Sequence, residues 1–246
     1  MNIFTGTHLI TEIVDLVLHD GDVIRSKNIS QHERWGFLEA FPAPYNIYNV
    51  DEMTPPRIIR THIPHEILSK SIIEDSKIIY LARNPKDVVT SFYFFHKHNT
   101  DVKNFNENFS QFFSRFLNDA TLYSPYSNHV KAFWNNRHRE NVLFMFYEDI
   151  LNDPIGSIRA VASFLNKNIS DESVQNISKY IDFNNMKNIS RNQLASGQEK
   201  RLNVDVFYRK GRIGSWKEMF SAQQSILMDN WIAKNFEETD IKFKFS

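Results

Sequence analysis

The stretch Lys77-Ile78-Ile79-Tyr80-Leu81-Ala82-Arg83-Asn84-Pro85-Lys86-Asp87-Val88 decides the fold. Its first part, Lys77–Leu81, is an apolar run with the length and branched character of a buried parallel strand. Its second part is a helix start. Asn84 is suited to cap the first turn, Pro85 fits the first helical position, and Asp87 places negative charge near the positive helix end. A strand passing within a few residues into a capped helix is the repeating unit of an α/β layer. The same grammar recurs downstream, with Arg57-Ile58-Ile59-Arg60-Thr61 and Val142-Leu143-Phe144-Met145-Phe146 as further strands and Asp153-Pro154 as a second capped start.

Working outward, Ile10, Ile13, Val14, Val17 and Leu18 repeat with helical spacing until Gly21 ends the pattern. No strand precedes this helix, although an α/β layer would lead into it from one. Amphipathic stretches at Glu107–Asn118, Pro125–Arg137, Pro154–Leu165, Glu172–Tyr180 and Ala222–Phe236 supply the remaining helices. Phe41–Pro56, rich in proline and aromatics, reads as an ordered loop, and the polar, aperiodic Asn188–Val206 reads as a lid. The expected architecture is α/β, a central parallel sheet flanked by helices that lacks its first central strand. Residues 1–246 form a single expected domain without internal repeats.

Composition narrows the function. Lysine plus arginine and aspartate plus glutamate both number 29, so no bulk positive charge is available for wrapping a nucleic acid, and any anion site must be local. The chain has no cysteine, which excludes disulfides, zinc–thiolate and iron–sulfur sites and thiol nucleophiles. Its nine histidines show no metal-ligand spacing, so no metal is expected. Seven glycines form neither the dinucleotide fingerprint nor a P-loop. No apolar run reaches the roughly 18 residues needed to span a membrane, and a cytoplasmic location is expected. Asn-x-Ser triplets such as the one at Asn28 then reflect asparagine-rich composition. Twenty-one phenylalanines suggest an aromatic-lined cavity.

Three strand ends present polar groups: Arg60-Thr61-His62, Arg83-Asn84-Pro85 and Tyr147-Glu148-Asp149. The carboxyl ends of strands are where open α/β sheets bind ligands. Arg83, just ahead of a capped helix, is placed to hold a phosphate together with free helix N–H groups, or to form a surface ion pair. Arg209-Lys210-Gly211-Arg212-Ile213-Gly214 offers a second local anion site, because glycine lets backbone N–H groups approach an oxyanion. His62, between an apolar strand and Pro64, is either a satisfied core histidine or a general base near neutral pH.

Together these segments resemble the cytosolic sulfotransferases, which move a sulfuryl group from PAPS to a hydroxyl or amine. Arg57-Ile58-Ile59-Arg60-Thr61-His62-Ile63-Pro64 is similar to the family's PRLLKTHLP, and Tyr80–Val88 with Ser91-Phe92-Tyr93 is similar to YVARNPKDVAVSYY. Phe146-Tyr147-Glu148-Asp149 is similar to FYED, and Arg209–Lys217 to RKGxxGDWK, with Ser215 at the aspartate position. The resemblance runs from about Thr5 to the C-terminus. It implies His62 as catalytic base with Arg60, at the family's lysine position, neutralising charge beside it. It implies Arg83, Ser91, Arg209, Lys210 and Gly211 around the nucleotide 3′-phosphate, Phe183 stacked on adenine and Tyr147 against the base. It also implies an acceptor cavity lined by Phe37, Phe92 and Phe95, and a small aromatic or apolar acceptor as partner.

The family's phosphosulfate loop TYPKSGTTW falls on Met1–Leu9, where only Thr5, Gly6 and Thr7 remain to bind PAPS. Phe4 replaces the lysine and Leu9 the tryptophan. Because the departures concentrate in these nine residues, the expectation is a truncated or mispredicted start, with a degenerate member that only binds 3′-phosphoadenosine nucleotides as the alternative. The chain as it stands is expected to be inactive or nearly so. The dimer motif KxxxTVxxxE is poorly kept, with Lys217, Ser221-Ala222 and Ile226 at its positions, so a homodimer is left open.

Overall fold

In the computed structural model, Ile78–Ala82 and Val142–Phe146 pair in parallel, Ile78 opposite Val142 and Ala82 opposite Phe146. The structure describes residues 5–29, 31–39, 53–98, 105–195, 204 and 208–246. Along the chain the strands are β1 (Gly36–Phe37), β2 (Ile59–Arg60), β3 (Ile78–Ala82) and β4 (Val142–Phe146). The helices are α1 (Thr7–Leu18), α2 (Val23–Asn28), α3 (Gln31–Arg34), α4 (Lys70–Asp75), α5 (Pro85–His98), α6 (Phe109–Leu117), α7 (Tyr126–Asn135), α8 (Tyr147–Asn152), α9 (Pro154–Phe164), α10 (Asp171–Tyr180), α11 (Phe183–Ala195) and α12 (Ala222–Phe236).

Alternation along β3 and β4 divides the core. Ile79, Leu81, Leu143 and Met145 face a cluster built from Ile10, Ile13, Leu16 and Val17 of α1 with Ile158 and Val161 of α9 and Val174 and Ile177 of α10. Tyr80, Ala82, Phe144 and Phe146 face the opposite cluster, formed by α5, α6, α7 and α12. Phe109, Phe112, Phe113 and Phe116 recur on one face of α6 and are all buried. Much of the phenylalanine surplus therefore fills this second cluster, at about 1.5–3 kcal/mol for each ring removed from water, rather than lining a cavity.

The capped starts form as the residues require. Asn84 Oδ1 accepts the Asp87 N–H at 2.8 Å, and Asp153 Oδ1 accepts that of Gly156 at 2.8 Å. The expected α/β arrangement of parallel strands flanked by helices is present, its strands pairing among the described residues as β1 with β2 and β3 with β4. Two expectations are corrected. The strand expected over Arg57–Thr61 is ladder-paired only at Ile59 and Arg60, because β1 offers it two partners. The start of the Asn188–Val206 lid is the end of α11, whose Met186 and Ile189 are buried in the first cluster. Among the described residues no strand precedes α1.

A buried ion cluster ties α1 to α2 and α3. Arg34 of α3, with its side chain fully buried, donates to Glu12 Oε1 at 2.7 Å and also pairs with Asp15. Asp15 further accepts from Arg25 at 3.1 Å and from the Ser26 hydroxyl at 3.2 Å. The cluster fixes the chain just ahead of β1, so Trp35 packs edge-on to His8 in the first turn of α1.

Candidate active site

Parallel pairing of β1 with β2 sets Phe37 opposite Arg60, and the chain leaves both strands at the same level. Two residues beyond each strand stand Glu39 and His62, and Glu39 Oε1 accepts the His62 backbone N–H. The His62 ring meets Phe37 edge-on at 5.1 Å and lies 5.8 Å from Tyr123, whose backbone takes the left-handed φ of 59°. A bulky residue in that region is uncommon and is held there by its surroundings. Arg60 lies 4.7 Å over the Phe37 ring, and its Nη1 is 3.2 Å from His8 Nε2. Arg60 is thereby brought against the first turn of α1, two residues ahead of His62.

That turn is built to face an anion. Gly6 takes φ 99° and supplies no capping side chain, and no acidic residue follows in the first turn. A side chain at Gly6 would collide with Tyr147, whose ring lies 2.4 Å from where a Cβ would stand. Thr5 is fully buried, and the buried Thr7 hydroxyl has no hydrogen-bond partner among the described residues. Free N–H groups and a donor hydroxyl at a helix N-terminus suit a phosphate.

Beyond Tyr147 the cations gather. Arg83 lies 4.2 Å over the Tyr147 ring, and Arg209 lies 5.0 Å over Phe94 of α5. Burial, and then the charge of Arg83, hold the Arg209 guanidinium below its ordinary pKa. Two guanidiniums whose charges oppose each other gain from an anion between them. Gly211, with φ 57°, lies against Phe183, whose ring is 1.9 Å from where a Cβ would stand, so only glycine fits there.

The Arg209–Gly214 segment is fastened to α5 by Asp87. This fully buried carboxylate accepts from Gly214 N at 2.8 Å, from Trp216 N and Ser215 Oγ at 2.9 Å each, and from Asn84 Nδ2 at 2.9 Å. Ser215 Oγ in turn accepts from Arg209 at 2.6 Å. Asn84 is itself held by Glu148, which accepts its N–H and its side-chain amide at 2.9 Å each. Burial pushes the Glu148 carboxyl above the usual range, partly offset by the Asn84 backbone bond.

The structure gathers most of the sequence-selected residues into two adjoining groups. Arg60, His62 and Phe37 form one; Thr5, Gly6, Thr7, Tyr147, Arg83, Arg209, Gly211 and Phe183 form the other. Ser91 is half-buried on the face of α5 shared by Asp87 and Phe94. Lys210 instead pairs with the exposed Glu218 at 2.7 Å. Phe92 is buried in the core against Phe112 and His96, while Phe95 is half-buried beside His96. Phe4 lies outside the described residues. Sequence reasoning missed Glu39, Tyr123 and His129, whose contacts depend on tertiary structure alone; Asp87 was legible only as a favourable helix charge.

Among the described residues no helix is long and apolar enough to cross a membrane. A family model described as the sulfotransferase domain matches residues 5–240. Sulfotransferase 1 family member D1 of Rattus norvegicus is 34% identical over 247 residues, covering 98% of this chain and 83% of the relative. Sulfotransferase 1E1 of Homo sapiens is likewise 34% identical, covering 98% and 83%. The crystal structure of retinol dehydratase in a complex with retinol and PAP superposes with a TM-score of 0.87 at 27% identity, covering 99% of this chain and 81% of that one. With these matches spanning nearly the whole chain, and with the cations, glycines and strand-end histidine placed as described, the protein belongs to the sulfotransferase family, whose members transfer a sulfuryl group from PAPS to small-molecule acceptors.

Proposed function

We propose that this chain, read as one domain over residues 1–246 and located in the cytoplasm, transfers a sulfuryl group to a hydroxyl or amine of a small aromatic or apolar acceptor. The observation that carries the reading is the contact of Arg60, two residues ahead of His62, with His8 in the first turn of α1, whose Gly6 packs on the Tyr147 ring that Arg83 covers. PAPS, when bound, supplies the electrophilic sulfur and a phosphate leaving group. Arg83 and Arg209, with Ser91 and the Gly211 backbone, hold the 3′-phosphate; Phe183 and Tyr147 flank the base. Thr5, Gly6 and Thr7 present N–H and hydroxyl donors to the 5′-phosphate end.

His62 Nε2 takes the acceptor's proton as the acceptor oxygen or nitrogen bonds to sulfur and the sulfur–phosphate oxygen bond breaks. Burial keeps His62 below its ordinary pKa, so the ring is neutral and able to accept a proton at pH 7. Arg60, braced by His8, faces the negative charge that grows on the departing oxygen. Phe37 and Tyr123 beside His62 favour an aromatic or apolar acceptor.

With phenylalanine at position 4, Arg60 carries a task that a loop lysine shares in relatives, and turnover is correspondingly slow. Loss of a fixed donor to developing charge lowers rates on the order of 10²–10³-fold. Labelled PAPS with a phenolic acceptor tests this. Slow transfer that Arg60→Met abolishes is the expected result. Tight binding of PAP with no transfer even in a chain with the missing strand and a YPKSGT loop grafted ahead of Thr7 favours the nucleotide-binding alternative.

A further inference from the structure

We propose that Glu39 is the positioning residue of His62, holding its ring with Nδ1 protonated so that the Nε2 lone pair faces the acceptor. The inference rests on the reading of His62 as the base. Register makes the pair: with Phe37 opposite Arg60, the residues two further along both chains meet at the mouth of the site. Glu39 Oε1 accepts the His62 backbone N–H and lies 3.5 Å from Nδ1 of the same residue. Both side chains are nearly buried, at 12% and 11% exposure, so water screens the pair little.

The other side of His62 is gripped as well. Its carbonyl accepts from His129 Nε2 at 3.1 Å, and His129 Nδ1 lies 3.0 Å from the Tyr80 hydroxyl. One proton assignment satisfies all three groups: His129 is neutral, donates through Nε2 and accepts the tyrosine proton at Nδ1. With backbone N–H and carbonyl both held, and Phe37 and Tyr123 against the ring, little remains free at His62 except ring rotation and the choice of tautomer. Nδ1 makes no hydrogen bond among the described residues, and the Glu39 carboxylate 3.5 Å away is the acceptor that a small ring rotation brings into reach, which selects the Nδ1-protonated tautomer. Among the described residues the titratable and charged groups facing His62 are Glu39, Arg60, Tyr123 and His129. Burial and Arg60 lower its pKa, whereas Glu39 raises it. Glu39 itself is held below its ordinary pKa through its bonds to His62, despite burial. The carboxylate thus stabilises the imidazolium as the acceptor's proton arrives.

The test uses the full chain labelled with nitrogen-15 histidine, the His62 signals being those missing from a His62→Ala spectrum. The wild type is expected to show a protonated Nδ1 and an unprotonated Nε2. In Glu39→Gln the His62 pKa is expected to fall by roughly one unit or more. The acid limb of kcat/KM then moves down equally, kcat drops on the order of 10²-fold, and KM for PAPS stays unchanged. Glu39→Asp, which keeps the charge, restores part of the pKa and serves if Glu39→Gln does not fold. A protonated Nε2 in the wild type, or an unmoved His62 pKa in both variants, overturns the proposal. Full activity in His62→Ala with the expected spectra instead overturns the base reading, and the two failures are told apart by the spectra.

Discussion

Replacing Asp87 with asparagine tests how the nucleotide site is held together. Asp87 receives four donors, Ser215 Oγ and Trp216 N on Oδ1 and Gly214 N and Asn84 Nδ2 on Oδ2. In Asp87→Asn one oxygen becomes an NH₂ group, so whichever way the amide turns at least one N–H faces a donor: that of Trp216 on one side, where the Ser215 hydroxyl can turn to accept, or those of Gly214 and Asn84 on the other. Hydrogen bonds to a charged group contribute about 1.5–3 kcal/mol each. Losing one or two in a fully buried position therefore costs about 1.5–6 kcal/mol. Part of the loss falls on global stability and part on the Arg209–Gly214 segment, whose arginine reaches Asp87 through Ser215. The expected outcome is a lowered urea midpoint together with PAP binding weakened at least tenfold, about 1.4 kcal/mol, measured by calorimetry below the unfolding transition. An Asp87→Asn chain unfolding within about 1 kcal/mol of wild type and binding PAP equally well would refute the idea that this carboxylate fastens the segment.

Two further outcomes concern the rest of the molecule. Arg34→Met leaves Glu12 and Asp15 facing each other without their buried cation, and urea unfolding should show a loss of about 3–5 kcal/mol; a change below about 1 kcal/mol would mean that Arg25 alone holds the cluster. Burial lowers the His129 pKa from 6.5 to about 3, so the unfolded chain takes up a proton below pH 6.5 that the folded chain refuses. The stability His129 contributes is thus full above pH 6.5 and falls with pH, by about 2 kcal/mol between pH 6.5 and pH 5. His129→Gln should be less stable at pH 7 but flatter over this range, and equal slopes would contradict the neutral buried assignment.

What was legible in the sequence was what neighbouring residues decide. Asn84-Pro85 and Asp153-Pro154 fixed two helix starts because capping is local, and the α6 phenylalanines declared a buried face through their spacing. The site residues were legible where a segment carries its own chemistry, as with Arg83 and the Arg209–Gly214 tract. Where a role depends on which segment comes to lie alongside, the sequence was silent. Glu39 follows a two-residue strand with no periodicity to betray it, and becomes a partner of His62 only through strand register. Phe92 and Ser91 are neighbours in sequence, yet helical geometry sends one into the core and the other toward the Asp87 face. Lys210 sits in a cationic tract whose arginine turns inward while the lysine turns to Glu218.

The two halves of the site are spaced by a single piece of backbone. Tyr80 of β3 faces His129, which holds the carbonyl of His62, the proposed base. A few residues on, the same strand delivers Arg83 to Tyr147 and passes into the Asn84–Asp87 turn that fastens the Arg209–Gly214 segment. The stretch around the start of α7 braces both ends: Tyr123 stands by His62, Tyr126 donates its hydroxyl proton to the Arg83 carbonyl at 2.5 Å, and His129 reaches the His62 carbonyl. In-line transfer depends on the acceptor atom, sulfur and leaving oxygen staying aligned, and small displacements of the reacting groups carry large losses in rate. Placing the proposed base and the proposed nucleotide cations at either end of Tyr80–Asp87, with α7 as a common brace, makes their separation a property of one strand and its capped helix. A change at Tyr80 or Tyr126 therefore disturbs the alignment without altering any side chain proposed to contact the reactants.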